Sequence, residues 1–264
     1  MLPVAPGEFV QPGNADFPWD KFDPVDYLDH NYTTMRDDDR QVLTFVRDFF
    51  VRISPALIDR PMRGIDVGTG PNLYPALAML PFCAEVTLYE FSKSNVDWLA
   101  TQHAANWPSW TTIWSDFWRV LCEESLYAGL DRADMGSELS SRTKVTWGNV
   151  FELDSERDGY YDIGTMFFGP ESLSPQRSEF HSAIDRLLSV LRPEAPFAIG
   201  LMEHSAGYDV ADNRFPATDI ELSDVTDYLE GRASGLSSER VDPGDVPIRD
   251  GYTGMMVVCG LVAR

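Results

Sequence analysis

The sequence predicts an α/β fold: a mostly parallel sheet with helices on both faces. Two observations predict it. Strand-like and helix-like segments alternate from about residue 64 onward. A short strand also runs straight into a glycine loop, Ile65-Asp66-Val67-Gly68-Thr69-Gly70-Pro71, which opens a helix. The chain has 264 residues, enough for one large core. A single domain over 21–264 is expected, with an irregular tail over 1–20 before it and a helical cap over 21–60 at its start.

The elements follow in order. Pro3, Pro6, Pro12 and Pro18 stand among glycines, which fits either a disordered tail or a strap over a pocket. Pro24 to Tyr32 reads as a short helix with proline at its start. Asp37 to Ile53 is the clearest helix. Val42, Phe45, Val46, Phe49, Phe50 and Ile53 recur at three- and four-residue steps, and three aspartates crowd its first turn. Strands are expected over Gly64–Val67, Glu85–Tyr89, Lys144–Trp147, Asp162–Phe167, Phe197–Met202 and Tyr252–Val262. Helices are expected over Pro71–Leu80, Ser92–Ala105, Thr111–Tyr127, Pro175–Leu191 and Leu222–Glu230, with Ser92 as an N-cap. The last two apolar strands lack a long helix between them, which predicts an antiparallel hairpin at one edge.

Composition excludes several classes. There are 21 basic and 42 acidic residues, a net charge of −21. Such a surface repels nucleic acid and anionic membranes. No apolar run reaches the roughly 18 residues of a membrane span, and the N-terminus lacks the order of a signal peptide, so a cytoplasmic protein is expected. Cys83, Cys122 and Cys259 are scattered and read as small buried hydrophobes. The four histidines show no ligand spacing, so no metal is expected. Trp107, Trp110, Trp114 and Trp118 cluster in one segment, which suits a packed helix face or a stacking platform.

The glycine loop carries the chemistry. A glycine turn can serve geometry alone, so its surroundings matter. Leu73 stands where a dinucleotide fingerprint needs its third glycine, and no lysine follows as in a phosphate-binding loop. Asp66 precedes the glycines and can hold the loop or accept a hydrogen bond. The next strand, Val86-Thr87-Leu88-Tyr89-Glu90, ends on a carboxylate about 20 residues after the glycines. There a carboxylate can accept both hydroxyls of a ribose. Together these describe a pocket for a phosphate-free adenosine, and S-adenosylmethionine (SAM) fits it.

At this point the sequence resembles the small-molecule methyltransferases that include nicotinamide N-methyltransferase, phenylethanolamine N-methyltransferase and the thioether S-methyltransferase. Phe22-Asp23-Pro24-Val25-Asp26-Tyr27-Leu28 with Tyr32, Asp66 to Tyr74, Glu90-Phe91-Ser92-Lys93-Ser94-Asn95 and the closing Gly254–Arg264 segment carry the likeness. It implies a Rossmann-like class I methyltransferase fold with a seven-stranded, mostly parallel sheet, an antiparallel edge hairpin and an N-terminal helical cap. It implies SAM as cofactor and S-adenosylhomocysteine as its product. By position, Tyr27 and Tyr32 would close over the methionine end. Gly68, Thr69 and Gly70 would approach the cofactor through backbone, and Tyr74 would touch its carboxylate side. Glu90 would hold the ribose, with Phe91 and Asn95 beside it. Asn149 and Val150 would meet adenine, the former as an amide where relatives carry Asp. Phe167 would flank the methyl donor, and Phe168, Met202 and Tyr208 would face the acceptor.

Glu203 and His204 are candidates to orient or deprotonate that acceptor, or else they are solvated loop residues. The acceptor is expected to be a small amine or aromatic nitrogen. An aromatic or indole carbon or oxygen, or SAM binding without turnover, stays open. A monomer or weak homo-oligomer is expected.

Overall fold

The structure is a computed structural model that describes residues 11–54, 61–130, 132–153, 159–244 and 248–264. Half of the expected 1–20 tail (1–10) and the end of the expected cap (55–60) lie outside the described residues.

The N-terminal layer is α1 (Pro24–Asn31) and α2 (Asp37–Ile53). The Asp23 carboxylate caps α1 by accepting from the backbone N–H groups of Val25 and Asp26. Then β1 (Met62–Val67), α3 (Tyr74–Met79), β2 (Cys83–Glu90) and α4 (Lys93–Ala104) alternate. The predicted long helix over 111–127 is instead two helices, α5 (Trp114–Leu121) and α6 (Ser125–Ala128). Arg47 explains the break. Its Nη1 donates to the Val120 carbonyl at 2.6 Å and to Glu123 at 2.7 Å, which caps α5 there.

Next come α7 (Met135–Arg142), β3 (Thr143–Trp147), β4 (Ile163–Phe167), α8 (Arg177–Val190) and β5 (Pro196–Glu203). A small hairpin of β6 (Tyr208–Val210) and β7 (Asn213–Phe215) precedes α9 (Leu222–Leu229), β8 (Ala233–Val241) and β9 (Gly254–Val262).

The seven-stranded sheet runs β3-β2-β1-β4-β5-β9-β8. The first five strands pair in parallel, and β9 is antiparallel to both β5 and β8. This is the Rossmann-like class I methyltransferase fold. Chain order reverses between β1 and β4, so the switch point lies at their carboxyl ends. One core, under α2, α3 and α5, covers one face; a second, under α8 and α9, covers the other. Trp107, Trp114 and Trp118 are buried in the first core, the packing role of the two expected. Cys83 and Cys259 are buried free thiols.

Gly200 on β5 sets the spacing at the switch point. A Cβ there would stand 2.2 Å from the Phe167 ring. Only a bare backbone lets that ring lie across β5. Gly200→Ala should therefore cost about 2 kcal/mol by overpacking. Thermal unfolding should register a fall of roughly 4–8 °C; an unchanged midpoint would show that the ring relaxes freely.

Candidate functional site: a cleft at the switch point

β1 ends at Val67, and the chain turns through Gly68 (φ +69°) and Gly70 (φ +53°), backbone angles that side chains rarely adopt. Gly68 N–H and Thr69 N–H both donate to the Tyr89 carbonyl, at 2.8 and 3.3 Å, tying the loop to β2. Asp66 lies beneath the loop and is buried. Its Oδ1 accepts from Thr165 Oγ1 at 2.7 Å, and its carbonyl accepts from Thr69 Oγ1 at 3.0 Å. Burial pushes its carboxyl up to about 7, against the two threonine hydroxyls. Asp66 thus holds the loop from behind.

Glu90 closes β2. Its Oε2 accepts from Gly70 N–H at 2.8 Å, and its Oε1 from Ser92 N–H at 2.8 Å and Asn95 Nδ2 at 3.4 Å. Burial raises its pKa, while these three donors favour the ionised form. Ser92 caps α4 by accepting from Asn95 N–H at 3.4 Å. The loop and the carboxylate thereby form one wall of a cleft with about 870 Å³ of non-atom space, open to solvent on one side.

Of the residues singled out from sequence, twelve line this cleft: Tyr27, Gly68, Thr69, Gly70, Glu90, Phe91, Asn95, Asn149, Val150, Phe167, Phe168 and Tyr208. Phe91 stacks on Trp147 at 6.4 Å. The Asn149 side-chain oxygen accepts from Phe151 N–H at 3.0 Å, which leaves its amide nitrogen as the donor. Phe168 sits at the end of β4 with φ +54°, a strained backbone for an aromatic residue, fixed by its N–H donating to the Gly200 carbonyl at 2.7 Å.

Six others lie elsewhere. Asp66, Tyr32 and Tyr74 are buried behind the wall; Tyr74 stands edge-on to Phe167 at 5.7 Å and Tyr32 to Tyr74 at 6.1 Å. The Met202 side chain is buried, and its N–H donates to Glu171 at 3.1 Å. Glu203 and His204, the expected catalytic pair, do not line the cleft. Glu203 accepts from Arg240 Nε at 2.8 Å and from Thr253 Oγ1 at 2.6 Å. His204 faces outward to Asp219, 2.7 Å from Nδ1. Glu203 closes β5 opposite Gly254 of β9, and His204 lies just beyond the strand with φ +53°.

Sequence reasoning missed part of the cover. Asn14, Trp19 and Phe22 line the cleft from a segment spanning its mouth. Asn14 N–H donates to Glu179 on α8 at 2.8 Å, and Gln176 Nε2 donates to the Gln11 carbonyl at 2.8 Å. On the other side, the hydroxyls of Ser92 and Ser94 donate to the carbonyls of Trp19 and Phe22 at 2.8 and 2.6 Å. Over the described residues 11–22 the segment is a strap, of the two forms the proline spacing allowed. Asn72 and Asn95 line the cleft too, and each has one buried amide atom without a partner, Nδ2 and Oδ1 respectively.

Comparison with known proteins agrees with this fold. The model of the NNMT/PNMT/TEMT family matches residues 13–245. The chain belongs to this family. Among solved structures, it is similar to the Burkholderia thailandensis 1,6-didemethyltoxoflavin N1-methyltransferase with bound 1,6-didemethyltoxoflavin and S-adenosylhomocysteine. They share 14% identity over 91% of this chain and 87% of that one, with a TM-score of 0.50. It is also similar to the N-methyltransferase NodS of Bradyrhizobium japonicum WM9 in complex with S-adenosylhomocysteine, at 11% identity over 90% and 91% of the two chains and a TM-score of 0.53. No curated protein sequence matches the chain. Among the described residues no cluster of three His, Cys, Asp or Glu side chains is placed to hold a metal, and no helix is long and apolar enough to cross a membrane.

The buried carboxyls around the cleft carry a pH consequence. Burial pushes Asp66 and Glu171 up to about 7 and Asp39 on α2 up to about 8. The folded chain therefore keeps protons that the unfolded chain releases near pH 4. That contribution to stability is complete below the unfolded pKa and is lost as pH rises through 7 to 8, by at most about 1.4 kcal/mol per pH unit per group. Denaturant unfolding should give lower stability at pH 8.5 than at pH 6, and Asp39→Asn should flatten the slope. A variant slope equal to the parent's would show that Asp39 is ionised in both states.

Proposed function

We propose that this family member is a SAM-dependent methyltransferase acting on a nitrogen of a small planar acceptor. The observation that carries the reading is Glu90: a buried carboxylate at the end of β2, fixed opposite a glycine loop without side-chain bulk. A carboxylate offers about four lone-pair positions, and three are in use, so it keeps one for a ribose hydroxyl. The partnerless amide atoms of Asn72 and Asn95 add a donor and an acceptor on the same wall. The residues present therefore fit a nucleoside without phosphates.

When bound, SAM supplies a methyl group already activated on a sulfonium. The chain's own residues have three tasks. Gly68, Thr69 and Gly70 admit the ligand close to the backbone, and Glu90 sets its rotation. Phe167, Phe168, Tyr27 and Tyr208 present aromatic walls, which exclude water and favour a positively charged centre over a ring face. Trp19 and Phe22 cover the mouth from the strap. Alignment of this kind is worth several kcal/mol in an in-line displacement.

The choice of nitrogen rests on what the wall lacks. Among the described residues lining the cleft, Glu90 is the lone carboxylate, and no histidine, lysine or cysteine joins it. An acceptor that must lose a proton before attack would lack a base there. A ring nitrogen with a free lone pair needs none.

Calorimetry with SAM and S-adenosylhomocysteine tests the pocket, and transfer of a labelled methyl group to planar heterocycles tests turnover. Glu90→Gln should weaken both cofactor forms by about 10- to 100-fold, the worth of one or two hydrogen bonds to a charged group. Absence of affinity in the folded parent protein would remove the proposal; affinity without any transfer would leave a binding protein.

A further inference from the structure

One wall of the cleft is backed by a buried cation. Arg249 is 7% exposed. Its Nη1 lies 3.1 Å from Ser172 Oγ and its Nη2 3.4 Å from the Tyr27 hydroxyl, donating to both. Its guanidinium carbon stands 4.1 Å over the Tyr208 ring. Ser172, Tyr27 and Tyr208 all line the cleft, and all three are neutral.

An arginine in such a place is normally paired. Withdrawing a guanidinium from water costs several kcal/mol unless an anion answers it, and its planar fork matches a carboxylate best. Among the described residues no carboxylate comes within 4 Å of Arg249. The acid that acts on it is Glu171, which is fully buried, accepts from Met202 N–H at 3.1 Å, and has its other oxygen unpartnered. Burial outweighs Arg249 in setting the Glu171 carboxyl, so that group is held only partly ionised near neutral pH. The local balance is thus positive, inside a chain whose net charge is −21. Low polarity strengthens a charge at this position, and salt screens it little. An ammonium group would be repelled here.

We infer that the acceptor carries a carboxylate, held at this wall of the cleft by the Ser172 hydroxyl with the Arg249 charge behind it. The substrate class is a planar aromatic or heteroaromatic acid. This rests on the methyltransferase reading and narrows it, since it adds an anionic group to the planar acceptor.

Matched ligand pairs provide the test, measured by calorimetry on the full chain saturated with S-adenosylhomocysteine. The pairs are pyridine-3-carboxylate and its carboxamide, indole-3-carboxylate and its carboxamide, and benzoate and benzylamine. At least one acid should bind tenfold or more tightly than its neutral or cationic partner. Arg249→Met should abolish that preference with S-adenosylhomocysteine affinity unchanged, and Arg249→Lys should keep part of it. Should the methionine variant fail to fold, the parent pairs and the lysine variant decide. Equal or tighter binding of the amides or the amine overturns the inference, as does failure of every acid to bind cofactor-loaded protein. A folded methionine variant that keeps the preference also overturns it. Failure of the parent protein to bind S-adenosylhomocysteine would instead strike the methyltransferase reading.

Discussion

A carboxylate withdrawn from water at the end of a strand must find donors, and the arrangement of this cleft follows from how Glu90 finds them. The Gly70 and Ser92 N–H groups and the Asn95 amide meet its two oxygens. Each donor fixes an element. Gly70 can point its N–H inward because the loop takes left-handed backbone angles. Ser92 donates from the start of α4, where N–H groups lack helical partners and the dipole favours an anion. One charge therefore locks the first loop, the second strand and the fourth helix together. Asp66 completes the frame from below through Thr165 on the neighbouring strand. Its side chain braces the loop and stays out of the cleft.

Much of this was legible because it is local. The alternation of apolar strands and helices, the glycine turn and the acid one strand later all follow from sequence spacing, and the sheet realises them with the expected antiparallel edge. β8 escaped notice for a physical reason. It is an edge strand, largely exposed, with a bulge between Ser234 and Ser237 around Gly235. An exposed edge needs no alternation of apolar residues, so Ala233–Val241 carries no period-two signal. The β6–β7 hairpin is too short to show a period at all.

The site was harder to read where it depends on distant partners. Glu203 and His204 stand where a strand meets the cleft's end of the sheet, a sound position for chemistry. Arg240 and Asp219 decide otherwise, and neither lies close to them in sequence. Asn14, Trp19 and Phe22 precede every periodic segment, so only their tertiary bonds to α4 and α8 reveal a cover. Arg249 gave no motif. Its meaning comes from Tyr27, 222 residues earlier, and Ser172, 77 residues earlier.

These placements divide the ionisable groups into two sets. Asp66, Asp39 and Glu171 are sealed off from the cleft, and burial favours their neutral forms. An acid kept partly protonated behind a wall attracts a cation less than a full carboxylate would and cannot serve as a base in front of it. What remains at the cleft is the Glu90 carboxyl at the glycine loop, where three donors favour the ionised form against burial, and the Arg249 guanidinium behind Ser172, Tyr27 and Tyr208. Transfer from a sulfonium to a neutral nitrogen moves the positive charge from sulfur to nitrogen, so the reacting centre stays cationic and ring faces suit it better than a nearby cation does. Arg249 is therefore better placed to select the acceptor than to speed the transfer. On the proposed reading, alignment between the Glu90 and Arg249 walls supplies rate to a reaction whose donor is already activated.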